Sequence, residues 1–263
     1  MSLTNIIKTN RVLMKKIWIL LLLIFFCLAC EKRPYHVSKI IAKKITIDSE
    51  IKKDSLIVNS FLPYKHKMIK EISRPLSYAP FQLERTDGYL QSTLGNLIAD
   101  LSYQKANELF NKETGKTVDF SMSNYGGIRA AINKGEVTVS NAFELMPFDN
   151  TLVVVELTAE KTEALFTYFM AKKRAHPLSK HVQLTIRNNS YKVHINGKPI
   201  NKNKTYFIAT SNYLQKGGDG MNFFSEPLSL YTSNFLIRDA ITAHFNNNDT
   251  NTSFLDTRVI VTK

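Results

Sequence analysis

Cysteine is almost missing from this chain of 263 residues, since the two that exist, Cys27 and Cys30, both lie within the first thirty residues. Neither a disulfide scaffold nor a cysteine-based zinc site can therefore hold the remainder of the fold. No internal repeat and no low-complexity tract is present, and 44% of the residues are hydrophobic. That content is enough to bury a core, which excludes wholesale disorder and predicts a fold held by packing alone.

Common catalytic motifs are missing as well. The sequence contains no Gly-x-Ser-x-Gly nucleophile elbow, and it has no cysteine nucleophile beyond the N-terminal pair. Gly115-Lys116-Thr117 resembles the end of a phosphate-binding loop, but Phe110 occupies the position of the first glycine that such a loop requires. The segment is instead predicted to be the C-terminus of a helix.

Acidic residues are outnumbered, because 35 Lys and Arg residues face 22 Asp and Glu residues, for a net charge of +13. The first 29 residues hold four of the basic residues and no acidic ones, which leaves 31 basic and 22 acidic residues, or +9, in the remainder. This charge favours an anionic partner. No basic stripe is interleaved with aromatic residues, so we expect no nucleic-acid partner.

A long apolar run occurs only near the N-terminus, at Ile17–Ala29. As a helix it would be about 20 Å long, short of the roughly 30 Å hydrocarbon core of a membrane. Its end, Cys27-Leu28-Ala29-Cys30, resembles the bacterial lipoprotein cleavage box. We therefore expect a signal peptide at 1–29, lipidation of Cys30, a flexible spacer at 30–45, and an exported, membrane-anchored protein on the periplasmic face or cell surface. An uncleaved N-terminal anchor is the alternative.

Apolar periodicity predicts helices and strands in the rest of the chain. The predicted helices are Ser92–Phe110, Ala159–Lys173 and Phe235–Phe245, and the predicted strands are Val118–Met122, Thr151–Leu157, Val182–Ile186, Tyr191–Ile195, Thr205–Thr210 and Thr257–Val261. Thr158 is expected to cap the second helix. The irregular interleaving of these elements predicts an α+β fold over residues 46–263, with a mixed β-sheet packed by helices.

Half of the ten glycines lie in two clusters, Gly126 with Gly127 and then Gly217, Gly218 and Gly220. Each cluster follows a predicted strand, where glycine permits a sharp reversal and close approach of a ligand to backbone amides. The first loop also holds Arg129, the second Tyr213 and Asp219, and the segment between them Phe148. Taken singly, these features are more typical of turns, surface ion pairs or core packing than of a binding site, but together they predict one site at a sheet edge.

Four ordered motifs carry a resemblance to a known family. They are Leu94–Asp100 (LGNLIAD), Asn124–Arg129 (NYGGIR), Pro147–Asn150 (PFDN), and Asn212-Tyr213 with Gly217–Gly220 (GGDG). In order and spacing they resemble the successive signatures of the 5'-nucleotidase C-terminal domain. The resemblance covers about residue 46 to the end, and it implies the α+β fold of that substrate-binding domain.

The resemblance implies that two aromatic rings, here Phe148 and Tyr213, stack on a nucleobase. Such stacking contributes about 1–3 kcal/mol per base and tolerates either ring type. By matching position, Asn124 and Asn150 would hydrogen-bond the base or its surroundings. Asp219 would accept from the ribose hydroxyls, and Arg129 would meet the phosphate or lie on its approach path. The other implied binding residues are the loop glycines Gly126, Gly127, Gly217 and Gly218.

The sequence departs from the family pattern at two places, and the second departure concerns the phosphate. Tyr125 replaces the first of three glycines, and the stretch Thr86–Gln91 stands where the family generally offers arginine, with Arg85 the nearest basic residue. A nucleoside, or a ligand with a different anionic group, is therefore an alternative to a nucleotide.

Hydrolysis in this family belongs to a separate N-terminal domain with two metal ions. None of the six histidines here has Asp two residues before it or follows Gly-Asn, and no two have the spacing of a ligand pair. We therefore predict no catalytic residue, metal or other cofactor in this chain, and expect divalent metals only in a partner.

Three functions follow as hypotheses. The first is the nucleotide-binding or nucleoside-binding half of a split 5'-nucleotidase, which is inactive alone and works with a separately encoded metallophosphatase. The second is a lipoprotein that captures nucleosides or nucleotides for uptake or sensing. The third is a basic surface protein that adheres to polyanions through charge, with an affinity that falls steeply with salt.

Overall fold

The computed structural model describes residues 14–22, 35–188 and 190–262, in two compact units, Met1–Asp54 and Ser55–Lys263. In the first unit, residues 14–22 are helical and 35–48 are exposed without regular structure. The predicted lipidation site, Cys30, lies outside the described residues. Within those residues, no helix combines the length and apolarity needed to cross a membrane.

The second unit contains helices and strands in irregular alternation. The helices are α1 (Ser55–Ile72), α2 (Thr93–Thr114), α3 (Val139–Leu145), α4 (Ala159–Lys172), α5 (Asn212–Gln215) and α6 (Ile237–Asn247). The strands are β1 (Pro75–Ala79), β2 (Phe120–Ser121), β3 (Gly135–Thr138), β4 (Thr151–Thr158), β5 (Val182–Arg187), β6 (Ser190–Ile195), β7 (Lys198–Pro199), β8 (Thr205–Ser211), β9 (Ser229–Leu236) and β10 (Val259–Thr262). The predicted α+β class is confirmed.

A central sheet with the strand order β2-β8-β4-β9 organises the core. Strand β4 is a nearly continuous apolar run because both faces of this sheet are covered. Val153, Val155 and Leu157 point to one core and Leu152 and Val154 to the other, as alternation along a strand requires. Helix α4 and the β5–β6 hairpin cover the first face, and helices α2 and α6 cover the second.

Two smaller sheets complete the fold. One has the order β10-β5-β6-β7, in which β10 joins β5 in parallel and the other pairs are antiparallel. The other is the antiparallel pair β1-β3. The sheets are therefore mixed, as predicted.

Helix α2 confirms the helix prediction, because it begins after Ser92 and extends one turn beyond Phe110. The Ser92 hydroxyl accepts from the Gly95 N–H at 3.0 Å, and Gly115 ends the helix with φ +70°. The prediction that this glycine marks a helix C-terminus is thus confirmed. Thr158 likewise caps α4, accepting from the Lys161 N–H at 3.2 Å.

Several element boundaries differ from the predictions, among them the last strand, which was predicted at Thr257–Val261 and extends over Val259–Thr262. The strand predicted at Val118–Met122 narrows to β2, because only Phe120 and Ser121 pair along β8. The predicted helix start at Phe235 is wrong, since Phe235 and Leu236 still belong to β9 and the helix begins at Ile237. Strand β9 is an edge strand with no buried residue, so it has no clear apolar alternation by which a sequence pattern would detect it.

The LGNLIAD motif is structural. Asp100 pairs with Arg258 at 2.9 Å, and Arg258, itself 5% exposed, also pairs with Asp256 at 2.7 Å. Asn96 donates to the backbone oxygen of Phe254 at 3.0 Å. The motif therefore joins helix α2 to the C-terminal segment of the chain.

Candidate functional site

The loops of the three sequence motifs meet because of the strand directions in the central sheet. Strands β2 and β8 are parallel, so their C-terminal ends lie at the same end of the sheet. Strand β4 is antiparallel to β8, and its first residue, Thr151, therefore lies at that same end of the sheet. The Thr151 N–H donates to the Asn212 Oδ1 at 3.1 Å, which joins the segment before β4 to the segment after β8.

A cavity of about 280 Å³ opens between these loops. Its lining consists of Asn124, Gly126, Gly127, Arg129, Phe148, Asn150, Tyr213 and Asp219. Eight of the ten predicted binding residues are thus brought together. The other two, Gly217 and Gly218, do not line the cavity.

The two aromatic rings are both accessible from the cavity. Phe148 is 41% exposed and Tyr213 is 44% exposed, values that core side chains do not show. The Arg129 guanidinium lies 5.8 Å from the centroid of the Phe148 ring and donates to the Gly126 carbonyl at 3.4 Å. An exposed cation therefore stands beside one ring.

Asp219 connects the loops from the two glycine clusters. Its Oδ2 accepts from the Asn124 side-chain amide at 2.7 Å, and its Oδ1 accepts from the Tyr213 hydroxyl at 2.8 Å. The bond to this carboxylate raises the pKa of Tyr213, because ionisation of the phenol would break it. Each carboxylate oxygen has a second lone pair, so Asp219 can still accept hydrogen bonds from a ligand.

Gly218 sits behind the Tyr213 ring. A Cβ at this position would lie 2.5 Å from ring atoms of Tyr213, so only glycine allows the ring to rest against the backbone. A Cβ at Gly127 would lie 2.9 Å from the Asn124 Oδ1. Both glycines thus permit side chains that line the cavity to pack closely against the backbone.

His176, which no sequence pattern singles out, supports the loop that contains Tyr125 through a hydrogen bond to its backbone. It is 4% exposed, and its Nδ1 accepts from the Tyr125 N–H at 3.1 Å. An accepting Nδ1 places the ring proton on Nε2, which is buried without a partner among the described residues. Burial lowers the pKa of His176 to about 4, so the imidazole is neutral near pH 7. The only sequence signal for it is an isolated histidine beside Pro177.

Arg238 positions the loop that carries Phe148. Its guanidinium pairs with Asp149 at 2.7 Å and donates to the Met146 carbonyl at 3.3 Å. The side chain is 9% exposed. A usable sequence signal exists, because Arg238 lies on the apolar stripe of α6 beside Ile237 and Ile241, where a buried arginine needs a partner for its charge.

Within the described part of the chain, no group of three or more His, Cys, Asp or Glu side chains is placed to hold a metal ion. Asp219, the carboxylate in the cavity, has amide and phenol partners instead. We therefore derive no chemical step through a metal in this chain.

Similar proteins share this domain. The chain is 26% identical over 186 residues to a protein named 5'-nucleotidase from Vibrio vulnificus (strain CMCP6). The matched region covers 68% of this chain and 32% of that protein. It is 32% identical over 151 residues to the trifunctional nucleotide phosphoesterase protein YfkN from Bacillus subtilis (strain 168), which is 52% of this chain and 10% of that protein. The chain thus spans about a third or less of the length of these curated relatives.

Solved structures show the same fold. The crystal structure of a 5'-nucleotidase precursor from Thermus thermophilus superposes with a TM-score of 0.65 at 22% identity, covering 78% of this chain and 43% of that one. Haemophilus influenzae NAD nucleotidase superposes with a TM-score of 0.57 at 16% identity, covering 80% and 42%. Residues 71–226, more than half of this chain, match the family described as 5'-nucleotidase, C-terminal domain, and the chain therefore belongs to that family.

Proposed function

We propose that this protein is the nucleotide-binding or nucleoside-binding half of a split 5'-nucleotidase. The observation that carries the proposal is the cavity bordered by two exposed aromatic rings, Phe148 and Tyr213, with Asp219 beside them. A flat heterocycle between two rings gains stacking energy from both of its faces. The cavity volume, about 280 Å³, lies just below the range of roughly 300–1,000 Å³ that is usual for small-molecule sites, which suits a small ligand such as a nucleoside.

Each polar group of the cavity has a part in this proposal. The free acceptor positions of Asp219 suit the two hydroxyls of a ribose, which are both donors. The side chain of Asn150 has no hydrogen-bond partner among the described residues, so its amide is available to a polar edge of the base. Arg129 supplies a guanidinium for a phosphate.

Phosphate-ester hydrolysis would have to come from another polypeptide segment that holds metal ions. We propose a separately encoded metallophosphatase as that partner, because the phosphatase signatures of the family are absent from this sequence while the motifs around the cavity are present. Anchoring through a lipid on Cys30 would hold the complex at a membrane.

Isothermal titration with adenosine tests the binding site. The substitution Phe148→Ala or Tyr213→Ala should weaken binding by about 1–3 kcal/mol, which is roughly five- to 160-fold in Kd, with little change in Tm. Tyr64→Ala, which removes an exposed ring of helix α1, is the matched control and should leave Kd unchanged. Unchanged affinity in both cavity variants would contradict the proposal.

Two further measurements separate the functions. If the chain is half of an enzyme, adding it to a metallophosphatase encoded by a neighbouring gene should accelerate AMP hydrolysis, and Phe148→Ala should remove the acceleration. Adenosine binding without any acceleration favours the capturing lipoprotein instead. Binding that collapses between 50 and 200 mM salt and ignores Phe148→Ala would indicate polyanion adhesion.

A further inference from the structure

The loop between Asn124 and Arg129 borders a second cavity, of about 340 Å³. Whereas Gly126 faces the first cavity, Tyr125 lines the second. Three basic side chains also line it, from two separate segments of the chain, and they are Arg85, Lys173 and Arg174. We call these three residues and the space they border the cationic cavity.

Tyr125 gathers the two arginines. The guanidinium carbon of Arg85 lies 4.6 Å from the centroid of the Tyr125 ring, and that of Arg174 lies 5.6 Å from it. Arg85 is also anchored, because its Nη1 donates to the Ile128 carbonyl at 2.6 Å. A guanidinium has five N–H donors, and this is the one hydrogen bond of the Arg85 side chain to a described residue. Arg85 is therefore held in place with most of its donors available.

No carboxylate of the described residues forms an ion pair with this cluster. Within the described part of the chain, none of the three cations has an acidic oxygen within 4.0 Å. The acidic residues of the adjoining segment are engaged locally, since Glu84 accepts from the Thr86 hydroxyl at 3.1 Å and Asp87 accepts from the Thr93 N–H at 3.0 Å. The cationic cavity thus offers converging positive charge to an anion from outside.

We propose that the cationic cavity is a binding site for a phosphate-type anion. Guanidinium groups match the geometry of phosphate oxygens, because parallel N–H donors can engage two oxygens at once, and Lys173 adds a point charge. The anion has two sources with the same chemistry. It is either free phosphate or pyrophosphate, or the phosphate group of a nucleotide whose base occupies the first cavity, and this second form rests on the proposed function.

Titration of the full chain with inorganic pyrophosphate, adenosine and AMP tests the proposal. The double variant K173Q/R174Q removes two charges and leaves the anchored Arg85 in place. The control K192Q/K202Q removes the same charge from exposed lysines of β6 and of the segment before β8. We expect K173Q/R174Q to weaken pyrophosphate binding at least tenfold and the control less than twofold, with both variants folded by circular dichroism.

The ligands distinguish the sources of the anion. AMP that binds more tightly than adenosine, with that advantage lost in K173Q/R174Q, assigns the site to the phosphate of a nucleotide. Pyrophosphate binding that depends on Lys173 and Arg174, with AMP and adenosine bound equally, assigns it to a free anion. Equal losses in the two double variants would overturn the proposal, as would a wild-type chain that binds no pyrophosphate and does not prefer AMP.

Adenosine separates this proposal from the proposed function. If adenosine binds and Phe148→Ala weakens it while the cationic cavity binds no anion, only the anion site fails. If pyrophosphate binds through Lys173 and Arg174 while adenosine does not bind, the anion site stands and the nucleoside site fails.

Discussion

The buried imidazole of His176 makes a quantitative prediction about acid stability. In the unfolded chain it takes up a proton as the pH falls below 6.5, whereas burial holds the folded group neutral down to about pH 4. Across that interval the unfolded state binds more protons than the folded state. The free energy of unfolding therefore decreases as the pH is lowered from 6.5, and it levels off near pH 4. At about 1.4 kcal/mol per pH unit, the loss due to His176 is roughly 3 kcal/mol.

The variant His176→Asn isolates this contribution. An asparagine oxygen can accept from the Tyr125 N–H as the Nδ1 does, but it does not titrate. Urea unfolding of both proteins between pH 7 and pH 4.5 gives the measurement, and the wild-type curve should fall more steeply by roughly 2 to 3 kcal/mol. Burial also lowers the pKa of His181 and His244, but both proteins contain them, so their effect cancels in the difference.

Parallel pH profiles for the two proteins would refute the reasoning. That result would mean that His176 has the same pKa in the folded and the unfolded state. Water would then have to reach the imidazole behind the Tyr125 loop.

Two further substitutions test the packing behind the cavity and the anchoring of the C-terminal segment. Gly218→Ala places a Cβ 2.5 Å from the Tyr213 ring, so the ring must move. Titration should show that the affinity for adenosine decreases toward that of Tyr213→Ala. An affinity equal to that of the wild type would contradict this. Arg258→Ala leaves Asp100 and Asp256 without their cation; chemical denaturation should show a loss near the lower end of about 3–5 kcal/mol because both carboxylates are partly exposed, and a loss under 1 kcal/mol would contradict it.

Much of the fold could be predicted from local patterns. The stripe of leucines in α2 and the run of β-branched residues in β4 each identify an element, because periodicity follows directly from the geometry of the backbone. Strand β9 could not be predicted in this way. Its pairing with β4 depends on residues distant in sequence, and as an exposed edge strand it has no apolar alternation.

The candidate site was partly predictable for a different reason. Phe148, Tyr213 and Asp219 lie in motifs that, by their order and spacing along the chain, resemble the signatures of a known family. Arg238 and His176 support these motifs from other elements, and their contacts follow only from packing. Whether the rings and the carboxylate bind a nucleoside stays a prediction.

The amino-acid sequence alone determined which residues the loops contain, where the glycines lie and which faces of the main helices are apolar. These features depend only on residues within a few positions of one another. Only the tertiary structure decided that these loops share one cavity, since that depends on β2 and β8 being parallel and β4 antiparallel to β8. It also decided that Arg85 and Arg174, 89 positions apart in the chain, lie at one tyrosine ring. Interactions across such separations arise from the packing of whole elements, and no local pattern encodes them.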